Sequence, residues 1–189
     1  AEQCVRCHLR IAPELLDAEH PDMVPFELVA QSSCVSHWRN YADVAAKAGL
    51  PNSGPRHRVY LWQVGQAVAL KASLQQVYER AQAGAEADTQ PAIQRAFSHY
   101  AALKPAFKLD PSLAELHNRV GKALKQLKAA DGLAAQAKAA QAAVTAVQPA
   151  ARAMASVTLD AARAQALRTA LKQAYQAAQG PTREVLELS

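Results

Sequence analysis

Alanine dominates the stretch from Ala129 to Ala178, with lysine, arginine and glutamine set among it at intervals that suit a solvent-facing side. Alanine is the strongest helix former, so this stretch reads as helix despite its low complexity. Two helices in close antiparallel contact are expected here. Hydrophobic residues make up 50% of the chain but aromatics only 5%, and a core of such small side chains favours close helix approach. No strand pattern of convincing length appears anywhere. The fold class expected is all-α, with an N-terminal segment packed on a helical bundle and long alanine-rich helices at the C-terminal end.

The punctuation divides the chain further. Cysteine, histidine and proline crowd residues 1–56, which end in Gly49-Leu50-Pro51-Asn52-Ser53-Gly54-Pro55, a loop no helix crosses. Before it, Val24 to Lys47 reads as helix. From Arg58 to Ala83, Leu61, Val68, Leu74 and Val77 recur at helical spacing beside Trp62 and Tyr78, and Gly84 closes that helix. A shorter helix is expected from Pro91 to Leu103, stopped by Pro105. Asp110-Pro111 is a helix start, a capping side chain followed by proline. The stripe Leu113, Leu116, Val120, Leu124, Leu127 then predicts one long helix to about Gln148, ended or kinked by Pro149. Thr158 opens the last helix, which carries Leu167, Leu171 and Tyr175 and is closed by Gly180-Pro181. The tail Thr182 to Ser189 is either loose or docked by its leucines. The division that follows is residues 1–104, carrying the site, and 105–189, a helical extension.

Cys4-Val5-Arg6-Cys7-His8 carries the chemistry. C-x-x-C-H is the spacing by which c-type haem is attached: each thiol adds to a porphyrin vinyl group, and the adjacent imidazole reaches the iron. One covalent haem c, through Cys4 and Cys7 with His8 as proximal ligand, is the first reading. Two plainer ones stand beside it. A Cys4–Cys7 disulfide is one. A zinc site is the other, because twelve residues separate Cys7 from His20 as in the middle of a Cys2His2 finger. No second histidine follows at the finger's distance, where Val24, Pro25 and Phe26 stand. A site of Cys4, Cys7, Cys34 and His20 leaves His8 without a role, so motif completeness favours haem.

The sixth iron position has the candidates His20, His37, His57, Met23, Met154 and Cys34. His20 precedes Pro21, which holds the chain extended and suits a ring aimed back at the haem; taken alone, such a histidine is more often a surface residue. His37 precedes Trp38, an aromatic fit to pack on a porphyrin, although a partly buried helix histidine is the commoner case. Met23 would raise the potential, yet a lone methionine more often fills a packing gap, and Cys34 is more often an inert buried thiol.

Three stretches taken in order bear a resemblance. Glu19-His20-Pro21-Asp22-Met23-Val24-Pro25-Phe26-Glu27-Leu28, then Ser36-His37-Trp38-Arg39, then Trp62-Gln63-Val64-Gly65-Gln66-Ala67-Val68-Ala69-Leu70 resemble the multihaem cytochrome c proteins. The resemblance covers residues 4 to 83 and implies that His20 is an axial ligand. Those relatives carry several C-x-x-C-H motifs, with another after the helix that begins at Trp62. Here that region reads Phe97-Ser98-His99-Tyr100, without cysteine, so the chain holds one c-type haem by its motifs. His37 and His99 are then remnants of lost haem sites or ligands to haem in another subunit.

These readings converge on a monohaem electron-transfer subunit with His8 and His20 as axial ligands. A five-coordinate haem that senses or transforms a small ligand, and a zinc-stabilised interaction module, are the alternatives. No nucleophile with its base and no phosphate-cradling glycine loop appears, so hydrolase and transferase readings have no support. The start at Ala1 suits a mature exported chain, and haem c attachment implies the periplasm. A net charge of +5 and an isoelectric point near 9.2 favour encounter with a redox partner of acidic surface. The alanine-lined stripes suit homo- or hetero-oligomer formation. The basic residues are spread without aromatic interleaving, which argues against nucleic acid. No apolar run is long enough for a membrane span.

Overall fold

The structure, a computed structural model, describes residues 11–18, 47–49 and 56–187. Among them every regular element is helical: α1 (Pro13–Asp17), α2 (His57–Gln82), α3 (Glu86–Leu109), a 3-10 turn (Pro111–Leu113), α4 (Ala114–Lys128), α5 (Leu133–Val147), α6 (Ala150–Ser156), α7 (Ala161–Ala177) and α8 (Gly180–Glu187). The all-α expectation holds. The expected helix from Val24 to Lys47 lies outside the described residues apart from its last residue.

α2 is the central helix. All six residues from Gly65 to Leu70 are buried, and six consecutive positions run round the whole circumference of a helix with 3.6 residues per turn. It therefore needs neighbours on every side. α3 folds back along it after Gly84, which holds φ at 78°, a left-handed conformation that suits glycine. α5 and α6 pack on α2 as well, α4 packs on α5, and α7 and α8 cover α3. One apolar cluster runs through these helices, from Val59 and Leu74 on α2 and Phe107 on α3 to Leu124, Val147, Met154, Leu167 and Val185.

The sequence-based expectations and the observed elements differ in several places. α3 runs through both prolines, Pro91 and Pro105, instead of stopping at Leu103. Its buried side, with Ala92, Ala96, Leu103 and Phe107, packs into the core, and that burial outweighs two missing backbone hydrogen bonds. The single long helix expected to Gln148 is two, α4 and α5. Asp131-Gly132 separates them, with Gly132 at φ 75°. The alanine-rich helices α5 and α7 also do not pair chiefly with each other: α5 lies on α2 and α4, and α7 on α3 and α8. Small side chains let each approach a larger-residue helix closely, which is where apolar area is gained.

Local signals explain the ends. Asp110 Oδ1 accepts from the Ser112 backbone N–H at 2.9 Å, and Asp160 Oδ1 accepts from the Arg163 N–H at 2.7 Å, so aspartates cap the two starts. The cap of α7 is thus Asp160, two residues beyond the Thr158 start expected. The tail docks, with Val185 and Leu186 buried and Thr182 Oγ1 3.2 Å from Ser98 Oγ on α3. Leu74 has no exposed surface. Replacing it by alanine is expected to cost about 2–5 kcal/mol in urea or guanidinium unfolding, by lost burial plus the cavity left; a cost below about 1 kcal/mol would mean α2 is not central.

Candidate functional site

One side of α2 is polar although it is buried. Trp62, Gln66, Ser73, Gln76 and Arg80 recur at spacings of three, four or seven, so they share one face of the helix, and all are buried. The facing stretch of α3 carries Thr89, Arg95 and His99, all buried, the last two a turn apart. Side chains join the two helices in antiparallel order. Arg80 Nη1 donates to the Asp88 carbonyl at 2.7 Å, Arg95 Nη1 donates to Gln76 Oε1 at 3.0 Å, and His99 Nδ1 lies 2.9 Å from Gln66 Oε1. This polar seam is the candidate site. Buried polar groups cost free energy unless paired, and most of these are.

Some of its atoms are not. Trp62 Nε1, Ser73 Oγ and His99 Nε2 are buried without a hydrogen-bond partner. His99 has no exposed surface at all. An amide oxygen faces its Nδ1, so Nδ1 carries the ring proton and donates it, leaving Nε2 a bare lone pair. Burial, reinforced by the Arg95 charge, pushes the His99 pKa down to about 3, and the ring is neutral across the physiological range.

The seam also holds the chain that leaves the N-terminal motif. Gln76 Nε2 donates to the Ile11 carbonyl at 3.5 Å, and Ile11 itself is buried. Gln76 thus links Ile11 on one side to Arg95 on the other, and Arg95 stands one turn before His99 on α3.

Of the residues the sequence singled out, Cys4, Cys7, His8, His20, Met23, Cys34 and His37 lie outside the described residues. Met154 is a core side chain on α6 with no exposed surface; its carbonyl takes a 2.8 Å hydrogen bond from Gln63 Nε2. His57 begins α2, its ring tilted against Tyr60 at 5.8 Å. Among the described residues no three histidine, cysteine or acidic side chains gather as a metal-binding group. Sequence reasoning left His99 as a remnant of a lost haem site or a ligand to haem in another subunit, and missed Gln66, Gln76 and Arg95 as its companions. The available signal was polar residues repeating at helical spacing inside an otherwise apolar helix.

A second charged region lies on the outside. Arg119, Lys122, Lys125 and Lys128 of α4 are exposed. On the side of α4 towards α3, the His117 ring stacks on Phe107 at 5.0 Å. Partial burial first, then Lys104 and Lys108, lower the His117 pKa. No helix among the described residues is long and apolar enough to cross a membrane. Comparisons with protein-family models, curated proteins and solved structures give no match to this chain.

The neutral His99 has a pH signature. Its folded pKa lies below the ordinary 6.5, so below about pH 6.5 the unfolded chain takes a proton that the folded chain refuses. His99 therefore opposes folding increasingly as pH falls from about 6.5 towards 3 and contributes no pH dependence above that window. Unfolding midpoints measured at pH 7 and pH 5 should fall less in His99→Gln than in the parent chain. Equal losses would show that His99 is protonated in the folded state.

Proposed function

We propose that the chain is a periplasmic monohaem c-type cytochrome, an electron-transfer subunit whose iron is held between two histidines. The observation that carries this reading is the complete motif Cys4-Val5-Arg6-Cys7-His8 followed, three residues on, by Ile11 anchored to the buried seam through Gln76. The motif thus leads, in sequence, directly into a residue anchored on the α2–α3 hairpin.

Cys4 and Cys7 would hold the porphyrin by thioether bonds, and His8 would present its imidazole to the iron. Haem, when bound, supplies a centre that accepts and returns one electron. The protein's share is to keep both imidazoles neutral, to keep water away and to fix the distance to a partner. The apolar core behind α2, with Leu70, Leu74 and Val77 wholly buried, gives the seam a rigid wall. The resemblance to multihaem cytochromes implies His20 as the second imidazole. The exposed lysines and arginine of α4, with the net positive charge of the chain, favour a redox partner with an acidic surface and steer its approach.

The test is an optical spectrum of the exported protein, oxidised, reduced with dithionite, and then exposed to carbon monoxide. Sharp α and β bands that carbon monoxide leaves unchanged are expected. A carbon monoxide shift would instead favour a five-coordinate sensor or enzyme. Absence of a Soret band would overturn the haem reading and leave a zinc-stabilised module, which metal analysis identifies. Cys4→Ser with Cys7→Ser should abolish the haem that survives denaturing electrophoresis.

A further inference from the structure

The outer side of the bundle holds a groove that neither the seam nor the core uses. It lies where α4, α5 and α6 meet and has a volume of about 1060 Å³, at the upper end of the roughly 300–1,000 Å³ of small-molecule sites. Arg119 of α4 and Arg152 of α6 both line it, and no acidic side chain does. Both arginines are exposed, and among the described residues neither is ion-paired. Two cations from separate helices, without counter-charges on the walls, give the groove a positive field.

The rest of the lining has a direction. Gln141, Thr145, Gln148 and Arg152 follow one another at spacings of four, three and four, and the backbone stays helical through Gln148 and Pro149. They therefore form one exposed polar stripe that runs from α5 into α6, with Ala142 and Ala146 beside it. From Gln141 to Arg152 is about 16 Å of helix rise, the reach of roughly five residues of extended chain. The Thr145 hydroxyl donates to the Gln141 carbonyl at 3.1 Å, so its oxygen is left to act as an acceptor, while the two carboxamides both donate and accept. A bare anion has no use for acceptors. A polypeptide has N–H groups for them, carbonyls for the amides and, where it is acidic, carboxylates for the guanidiniums.

We propose that this groove docks an acidic segment of a partner protein in extended form, with carboxylates at Arg119 and Arg152 and aliphatic side chains over Ala142 and Ala146. The docking does not depend on the haem; where the cytochrome reading holds, the segment belongs to the redox partner. The exposed Lys122, Lys125 and Lys128, which follow Arg119 along α4, steer the approach, and the groove fixes where the segment stops.

The experiment takes the full chain and a fluorescein-labelled peptide of alternating glutamate and leucine, with binding read by fluorescence anisotropy. Saturable binding that added salt weakens is expected. Arg119→Glu and Arg152→Glu should each weaken it roughly fivefold or more, as an attraction becomes a repulsion. Lys172→Glu, the same change of net charge at an exposed position of α7, should alter it by less than about twofold. Ala142→Trp, which fills the groove and leaves its charge alone, should weaken binding as much as the arginine reversals do. Equal losses in Lys172→Glu and the arginine variants would reduce the interaction to net charge and overturn the proposal, as would undiminished binding by Ala142→Trp. So would a peptide with glutamine in place of glutamate that binds equally well. Binding of octanoate but not of the peptide would make the groove a small-carboxylate site and likewise overturn it. The haem spectrum, read separately, decides the cytochrome reading whichever way the peptide behaves.

Discussion

Burying α2 on all sides is the constraint from which the architecture follows. A helix with six consecutive buried residues cannot sit at the surface of a bundle, so the chain must supply neighbours around the whole circumference. It does so with two kinds of contact. On one side Leu70, Leu74 and Val77 meet an apolar core in which α5 and α6 take part. On the other, Gln66, Gln76 and Arg80 meet α3 through hydrogen bonds. The apolar side supplies area removed from water. The polar side supplies register, because a shift of the hairpin by one residue would leave several buried donors and acceptors unpaired at once.

That division explains which parts of the fold were legible in the sequence. The α2 helix and its close at Gly84 were readable, since apolar periodicity and a glycine are local signals. The start at Asp110 was readable for the same reason, whereas the tail was left as either loose or docked, and the burial of Leu186 decides for docking. The prolines of α3 misled because a proline reports only its own backbone cost. The Ala92, Ala96 and Phe107 side of that helix settles the matter through contacts with distant segments, and no local rule contains them. Asp131-Gly132 was a local signal, and the apolar stripe before it masked it. The pairing of the alanine-rich helices could not be read at all, because alanine stripes are equally compatible with many neighbours.

The candidate site divides in the same way. The C-x-x-C-H motif is legible because Cys4, Cys7 and His8 lie within five residues and their spacing has a chemical reason. The seam is not, since Gln66 and His99 stand 33 positions apart and only the antiparallel return of α3 brings them together. In sequence a histidine without nearby cysteine looks like a leftover. In the fold it is a neutral ring with one nitrogen engaged and the other bare.

The neutral imidazole of His99 shows what the all-round burial of α2 does to a polar group in the seam. Changing the charge of a centre costs least when the surroundings do not have to reorganise, and groups already fixed by packing and hydrogen bonds reorganise little. Gln66 is held in a helix buried on every side, and Arg95, the charged group that most directly acts on His99, has Nη1 fixed on Gln76 Oε1. A histidine on a loop would not be held so. His99 is ordered by α2 and α3, so the conformational entropy of its side chain is lost in folding. The all-round burial of α2 and the preparation of the seam are therefore one property: the packing that gives α2 no free side is also what holds the imidazole still.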